Sequence, residues 1–497
     1  MQDRVNARPR IGVFGCGCGF YWDQFPGLEE KLLGYQREIE VRLGQYGVEV
    51  ISGGLVDAPE RAVQTGDEFR RRGVQFLMCT MSTYALSSTV LPVVQRAGVP
   101  LVILSLQPHA AMDYEHGTTF MQLEHDNQTS LPEVCYALIR AGIPLPGLVV
   151  GTLHDEATWQ RIAGWCRVAR AYVALREARI GVMGHVYEGM LDMNSDPTLF
   201  DAQFGLHCQH IELDDLQAMV DQVTAPEVEA KLEEIRSHFI FPEPGADPIV
   251  GPAKLEDLAW AARVACGLDR LVDSFGLTGL AYYYRGLGGN ANERLGSSLI
   301  VGSSLLIGRG IPIAGELDIR TCLAMLLLDR MEAGGSFAEL HPCDFEHDIV
   351  LVGHDGPHHI ALAQGRPVLR GLTLYHGKRG AGVSVEFQLK HGPVTCVGLT
   401  QTYDGRLKFV VAEGESLPGP IPATGNTNTR CRFAPSVGRF VENWSLEGPT
   451  HHFALGLGHV AHLVEDLARC WGIEFVNVTD PAYRRPATWR TRPAYPG

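Results

Sequence analysis

The chain has 497 residues, 45% hydrophobic and 20% charged, which excludes disordered and collagen-like chains and suits a globular protein of about three domains. Lys and Arg number 42 against 57 Asp and Glu, a net charge of −15, so the chain lacks the basic surplus that non-specific binding to nucleic acid or anionic membrane needs. No apolar run reaches the roughly 18–20 residues of a membrane span, and Met1-Gln2-Asp3-Arg4-Val5-Asn6-Ala7-Arg8 is no signal peptide, so a cytoplasmic protein is expected.

The N-terminal third alternates strand and helix patterns. Ile11-Gly12-Val13-Phe14 is a short apolar run, residues 28–46 have helical spacing, and Val48-Glu49-Val50-Ile51 reads as a strand closed by Gly53-Gly54. A helix over 60–72 leads to a strand over 74–79, and one over 90–97 leads to a strand over 100–105. Such alternation implies βαβ units around a parallel sheet, whose ligands sit at the carboxyl ends of the strands. Here those ends are residues 16–22, 80–82 and 106–109. A second α/β unit starts at Arg179-Ile180-Gly181-Val182-Met183-Gly184 and continues through helices over 225–239 and 255–275. From about Asp348 the chain turns to short strands broken by Gly-Lys-Arg-Gly, Lys-His-Gly-Pro and Asp404-Gly405, the signals of antiparallel hairpins. A helix over 460–471 and a Pro-rich tail follow. The fold class is therefore α/β, with two Rossmann-like domains, 1–177 and 178–345, the second carrying the first candidate carboxylates, and a β-rich C-terminal domain, 346–497.

The glycines after the first strand, Gly15, Gly17 and Gly19, do not make a dinucleotide loop, because its third glycine falls on Phe20 and no acidic residue follows the second strand at the usual place. The 12 cysteines are scattered, and Cys16-x-Cys18 has no second pair to complete a zinc site, so most read as buried fillers. Cys18 stands apart only through its place at a strand end.

Candidate chemistry concentrates between Glu316 and His359, with His451 and His452. Glu316 and Asp318 precede an apolar helix over 321–331, where a carboxylate is often just a cap. Glu339 lies in Phe-Ala-Glu-Leu-His-Pro, and His354 lies in Gly-His-Asp-Gly-Pro. Two carboxylates with two imidazoles form a ligand set for Mn²⁺, Mg²⁺, Co²⁺ or Zn²⁺, though 19 histidines leave room for chance clusters. His341, His347, His358 and His359 could substitute for these ligands and read more simply as supporting or surface residues. Asp355 suits either an orienting partner of His354 or a turn. Tyr282-Tyr283-Tyr284 reads as core or interface packing, while His185 and Asp192-Met193-Asn194 fall at a plausible pocket rim.

The succession Gly315-Glu316, Glu339, Gly-His354 and the pair His451-His452 resembles the L-arabinose isomerase family, grouped with the L-fucose isomerases, over the whole chain. Asn127-Gln128-Thr129 is similar to that family's substrate-pocket turn. The resemblance implies one divalent ion per chain, Mn²⁺ or else Co²⁺ or Mg²⁺, held by Glu316, Glu339, His354 and His452. It makes Glu316 and Glu339 the proton-transfer pair, with different protonation states. His451, Gln128, Tyr21 and Met193 would bind the substrate. The implied activity is aldose–ketose isomerisation of a monosaccharide through a cis-enediol, with L-arabinose to L-ribulose as default and D-galactose to D-tagatose as a side reaction. A homo-oligomer (trimer, tetramer or hexamer) is implied too. The chain departs from the family in having Cys16-Gly17-Cys18-Gly19-Phe20-Tyr21-Trp22 where a Gln-His-Leu-Tyr segment is usual, and Ser130-Leu131-Pro132 where the pocket turn brings a histidine. Two other readings use the same residues: a non-catalytic sugar-binding or regulatory protein of this fold, and a metal-dependent hydrolase or epimerase.

Overall fold

A computed structural model describes residues 5, 8–243, 249–285, 290–375 and 378–484. It divides into two compact units: Ala7–Val173 with Leu463–Gly472, and Ala174–His462 with the chain's two ends.

The first unit is built on five parallel strands, β1 (Arg10–Cys16), β2 (Glu49–Val56), β3 (Phe76–Met81), β4 (Leu101–Gln107) and β5 (Gly147–Thr152), in the order β2-β1-β3-β4-β5. Central strands buried on both faces must be apolar throughout, and Phe76-Leu77-Met78-Cys79-Thr80-Met81 is buried at every position. The strand-end segments expected to face a ligand do follow β1, β3 and β4. Gly53-Gly54 does not close β2. The strand runs through both glycines, and its register against β1 shifts opposite Val13 and Phe14, with Gly54 at a φ of 66°. Only a residue without Cβ takes that backbone freely, so the pair kinks the strand and pairing continues to Val56. The helix expected over 28–46 ends at Leu43 and tightens into a 3-10 turn, Gly44–Tyr46. β5 is an edge strand whose Leu148 and Val150 carbonyls accept from the Arg161 guanidinium at 3.4 and 3.2 Å.

In the second unit β6 (Arg179–Gly184), β7 (His207–Ile211), β9 (Gly279–Tyr283) and β10 (Ile313–Ala314) form a parallel sheet in the order β10-β9-β6-β7. A short β8 (Val250–Gly251) pairs with β13 (Val368–Tyr375), itself antiparallel to β14 (Lys378–Glu386). The remaining strands are β11 (Ser336–Asp344), β12 (Ile349–His354), β15 (Gly392–Gln401), β16 (Leu407–Ser416), β17 (Thr427–Phe433), β18 (His452–Leu457) and β19 (Glu474–Asn477). They run in the order β15-β18-β11-β12-β17-β16-β19, and a long β15–β16 ladder closes the antiparallel ones into a barrel. β11 opens this barrel at Ser336, so Glu339 belongs to the barrel and not to the α/β segment expected to carry both carboxylates. The cause is local: Gly334-Gly335 ends the preceding helical segment, and the chain re-enters as a strand paired on both sides. Among the described residues no helix is long and apolar enough to cross a membrane.

Candidate metal centre

Glu316 leaves the carboxyl end of β10 in a turn that few side chains tolerate. Its φ is 55° and that of Leu317 is 61°, two successive non-glycine residues in the left-handed region. Each such residue costs on the order of 1–3 kcal/mol and persists where its surroundings impose it. Here the Leu317 amide donates to the Tyr282 carbonyl of β9 at 3.0 Å, and the Leu317 side chain is buried. Asp318 then caps the helix Ile319–Arg330, accepting from the Thr321 amide at 3.0 Å and its hydroxyl at 2.7 Å.

The barrel supplies the other groups. Glu339 lies opposite His452 in the β11–β18 ladder, where cross-strand side chains share a face. His354 ends β12, and the Gly353 before it runs so close to β17 that a Cβ there would stand 1.9 Å from the Thr427 carbonyl oxygen. His354 and His452 bring their Nε2 atoms to 3.1 Å. Glu316 Oε2 lies 3.7 Å from His452 Nε2 and 3.6 Å from His451 Nε2, and Glu339 Oε1 lies 4.0 Å from His354 Nε2. Among the described residues two triads present ligand atoms within 4.8 Å of one another, Glu339–His354–His452 and Glu316–His451–His452. They share His452, which is completely buried.

Every imidazole also faces a carboxylate with its far nitrogen. His452 Nδ1 lies 3.3 Å from Asp318 Oδ2, His354 Nδ1 lies 3.0 Å from Asp355 Oδ1, and His451 Nδ1 donates to Asp192 Oδ2 at 2.6 Å. The Gly356 amide donates to His354 Nδ1 at 2.9 Å, so that nitrogen meets both an amide donor and the Asp355 carboxylate. The Nε2 atoms of His354 and His452 are thus brought face to face by partners on their far sides. Glu316 Oε2, moreover, is buried without a hydrogen-bond donor. Oxygen and imidazole donors left unsatisfied around one point fit a divalent cation.

Burial works against the charge of both acids, yet the imidazoles outweigh it: His341 and His354 bring Glu339 down to about 2, and His451 and His452 lower Glu316. Both carboxyls are therefore held below the ordinary carboxylate range. Burial lowers His452 against the pull of Asp318, and His354 is raised because Asp355 overcomes its burial. His451 reaches about 9, with Glu316 and Asp192 outweighing its partial burial.

Glu316, Glu339, His354 and His451 line a cavity of about 310 Å³. Tyr282, Tyr283 and Tyr284 line it together with Tyr187, Met190 and Ile300, and Tyr282 and Tyr283 are also buried as the packing reading expects. The strand pattern of β9 signalled burial, while its place at a carboxyl strand end was the sign of a pocket. Glu316, Glu339, His354, His451 and His452 thus converge. Met193 is fully buried and Met190 lines the cavity in its place. Tyr21 and Gln128 belong to the other unit, half-buried, with Tyr21 stacked edge-on against Phe20 at 4.6 Å. Cys18 is buried there too, its thiol pushed up to about 11 by burial and by Cys16. His341 donates toward Glu339 Oε1 at 3.2 Å, and buried His358 donates from Nε2 to the His354 carbonyl at 2.9 Å. His347 is exposed beside Asp344, and His359 lies 3.7 Å from Asp329. His185 is exposed and packs its ring edge-on to Tyr283 at 5.1 Å. Asp318 and Asp192 were not singled out as imidazole partners, since nothing in the sequence joins residues more than a hundred positions apart.

Residues 334–474 match the family model of the L-arabinose isomerase C-terminal domain. Over 395 residues the chain is 27% identical to an L-arabinose isomerase of Nocardioides sp. (strain ATCC BAA-499 / JS614), covering 76% of this chain and 75% of that one. It is 26% identical to that of Aeromonas salmonicida (strain A449) over 84% of this chain and 83% of the relative. It is 27% identical to that of Erwinia tasmaniensis over 69% and 68%. By these likenesses the chain is similar to the L-arabinose isomerases, over residues 334–474 by the family model and over 69–84% of its length by these relatives.

Proposed function

We propose that the protein is a divalent-cation-dependent aldose–ketose isomerase converting L-arabinose to L-ribulose, with D-galactose to D-tagatose as a side reaction. The observation that carries this reading is the convergence of the Glu316 and Glu339 carboxylates with the facing Nε2 atoms of His354 and His452 beside a cavity of about 310 Å³. Glu316, Glu339, His354 and His452 would hold one ion, Mn²⁺ first and Co²⁺ or Mg²⁺ as substitutes. When bound, that ion supplies positive charge against the negative charge developing on O1 and O2 of the open-chain sugar.

The conversion moves one proton from C2 to C1 and a second from O2 to O1, and both transfers begin with a base. One carboxylate takes the C2 proton, leaving a cis-enediolate that becomes the cis-enediol on protonation at O1, and returns the proton to C1. Its partner takes the O2 hydroxyl proton and delivers it to O1. Two carboxylates whose charged forms the surrounding imidazoles favour suit this sequence. His451, at the cavity wall, would bind a sugar hydroxyl, and the tyrosine wall covers the carbon face and excludes water. Tyr21 and Gln128 are proposed substrate contacts, as is Met193 through the loop that carries Met190. A cytoplasmic homo-oligomer is part of the same reading.

The test is ketose formation from a panel of pentoses, hexoses and deoxy-sugars with Mn²⁺, Co²⁺ or Mg²⁺. Turnover is expected with L-arabinose and is expected to fall by roughly 10²–10⁴ in Glu316→Gln and in Glu339→Gln. A chain that binds sugar but forms no ketose from any of them is a binding protein, and the proposal fails.

A further inference from the structure

Asp192 stands out because two independent fixtures converge on it. Its Oδ2 accepts from both the His451 amide, at 3.0 Å, and His451 Nδ1, at 2.6 Å, across 259 residues of sequence. Its own backbone is held from the opposite side, where the buried Arg320 guanidinium donates through Nη2 to the Asp192 carbonyl and, at 3.3 Å, to the Asn194 carbonyl. Arg320 lies in the first turn of the helix that begins just after Glu316. The loop bearing Asp192 also contributes Tyr187 and Met190 to the cavity wall. One aspartate therefore links the β6 loop, the Glu316 turn and the start of β18.

We propose that Asp192 is a positioning residue, which acts through His451 to hold its Nε2 toward Glu316 and the cavity. This inference rests on the isomerase reading of the site. The imidazole has two rotatable bonds and needs two constraints to be fixed. Asp192 supplies both, by pinning the backbone amide that sets the direction of Cβ and the Nδ1–H that sets the ring. Released, His451 swings away from Glu316, and the nearby ligand pair of His354 and His452 keeps its own partners, Asp355 and Asp318. Asp192 thus serves sugar binding and turnover and leaves cation binding alone.

The decisive experiment is a double-mutant cycle on the full chain with Asp192→Ala, His451→Ala and the pair together. Three readouts are taken: Co²⁺ affinity by titration, affinity of the loaded protein for an unreactive open-chain pentitol by calorimetry, and aldose turnover. Asp192→Ala is expected to weaken pentitol binding and turnover by on the order of 10-fold or more and to leave Co²⁺ affinity within about 2-fold. The double variant should be no worse than His451→Ala alone, the non-additivity of residues acting as one unit. Asp192→Asn, whose Oδ1 still accepts both hydrogen bonds, should restore binding to within about 3-fold of the unmodified protein. Additive losses, or a Co²⁺ affinity that falls together with pentitol affinity, overturn the proposal. If the unmodified protein turns over no aldose, the isomerase reading fails on its own, while the pentitol and Co²⁺ arms still decide the role of Asp192.

Discussion

Two parallel sheets in this chain obey the same rules and end in different chemistry. At the carboxyl ends of the five-stranded sheet several hydroxyls are turned onto the backbone. Thr83 donates to the Leu123 carbonyl at 2.6 Å, Ser105 to the Asn127 carbonyl at 3.2 Å, and Ser130 accepts from the Ala85 amide at 2.8 Å. At the end of the four-stranded sheet, the left-handed turn after β10 instead delivers Glu316 with an oxygen that has no donor, to strands of a barrel that present imidazoles. At the second sheet a strand end becomes a centre of charge because strands of the barrel in the same unit meet it.

The largest effect that would break this contrast is the loss of turnover in Glu316→Gln and Glu339→Gln given above, since it would be absent if the charged end were inert. Next comes Asp318→Asn. The amide still caps the helix through its oxygen, but its NH₂ faces His452 Nδ1 and favours the tautomer with Nε2–H, which cannot bind a cation. Co²⁺ affinity should drop by about 10–100-fold with an altered visible spectrum, whereas unchanged affinity would mean that Asp318 is a cap alone. From the other sheet, Tyr21→Phe should leave Co²⁺ affinity within about 2-fold, because among the described residues neither ligand triad draws an atom from that unit. A larger fall would erase the distinction.

The smallest effect concerns Asp466, in the helix Ala461–Trp471 of the first unit. Burial raises its carboxyl from 3.8 to about 6 in spite of Arg469 at 3.1 Å. A folded-state value above the unfolded one means that its stabilising contribution is complete below about pH 4 and is lost as pH rises through about 6. Asp466→Asn should therefore unfold at a higher temperature than the unmodified protein at pH 7.5 and show little difference at pH 4. Equal melting temperatures at pH 7.5 would refute it.

Period and punctuation made much of the fold legible. The alternation of apolar runs and helical spacing announced the two parallel sheets, and hairpin signals announced the antiparallel strands. The Gly-Glu, Gly-His and His-His pairs marked residues that do converge. What stayed hidden was long-range or conformational. β11 looked like a continuation of the α/β segment because a nine-residue strand paired on both sides carries no local sign of its sheet. Asp192 and Asp318 looked like rim and cap because a carboxylate reveals its imidazole only when the chain is folded. Tyr282 and Tyr283 of β9 and Tyr284 just after it read as core because buried strands and pocket walls have the same composition.

The guanidinium of Arg161 on the β5 carbonyls has a consequence outside catalysis. A sheet border is a template on which a stray segment of another molecule adds by main-chain pairing, and the exposed aliphatic side chains of Leu148 and Val150 would reward that addition. Here an arriving segment must first strip a cation from the acceptors it needs. This one side chain thus guards the border against intermolecular stacking and fibre growth.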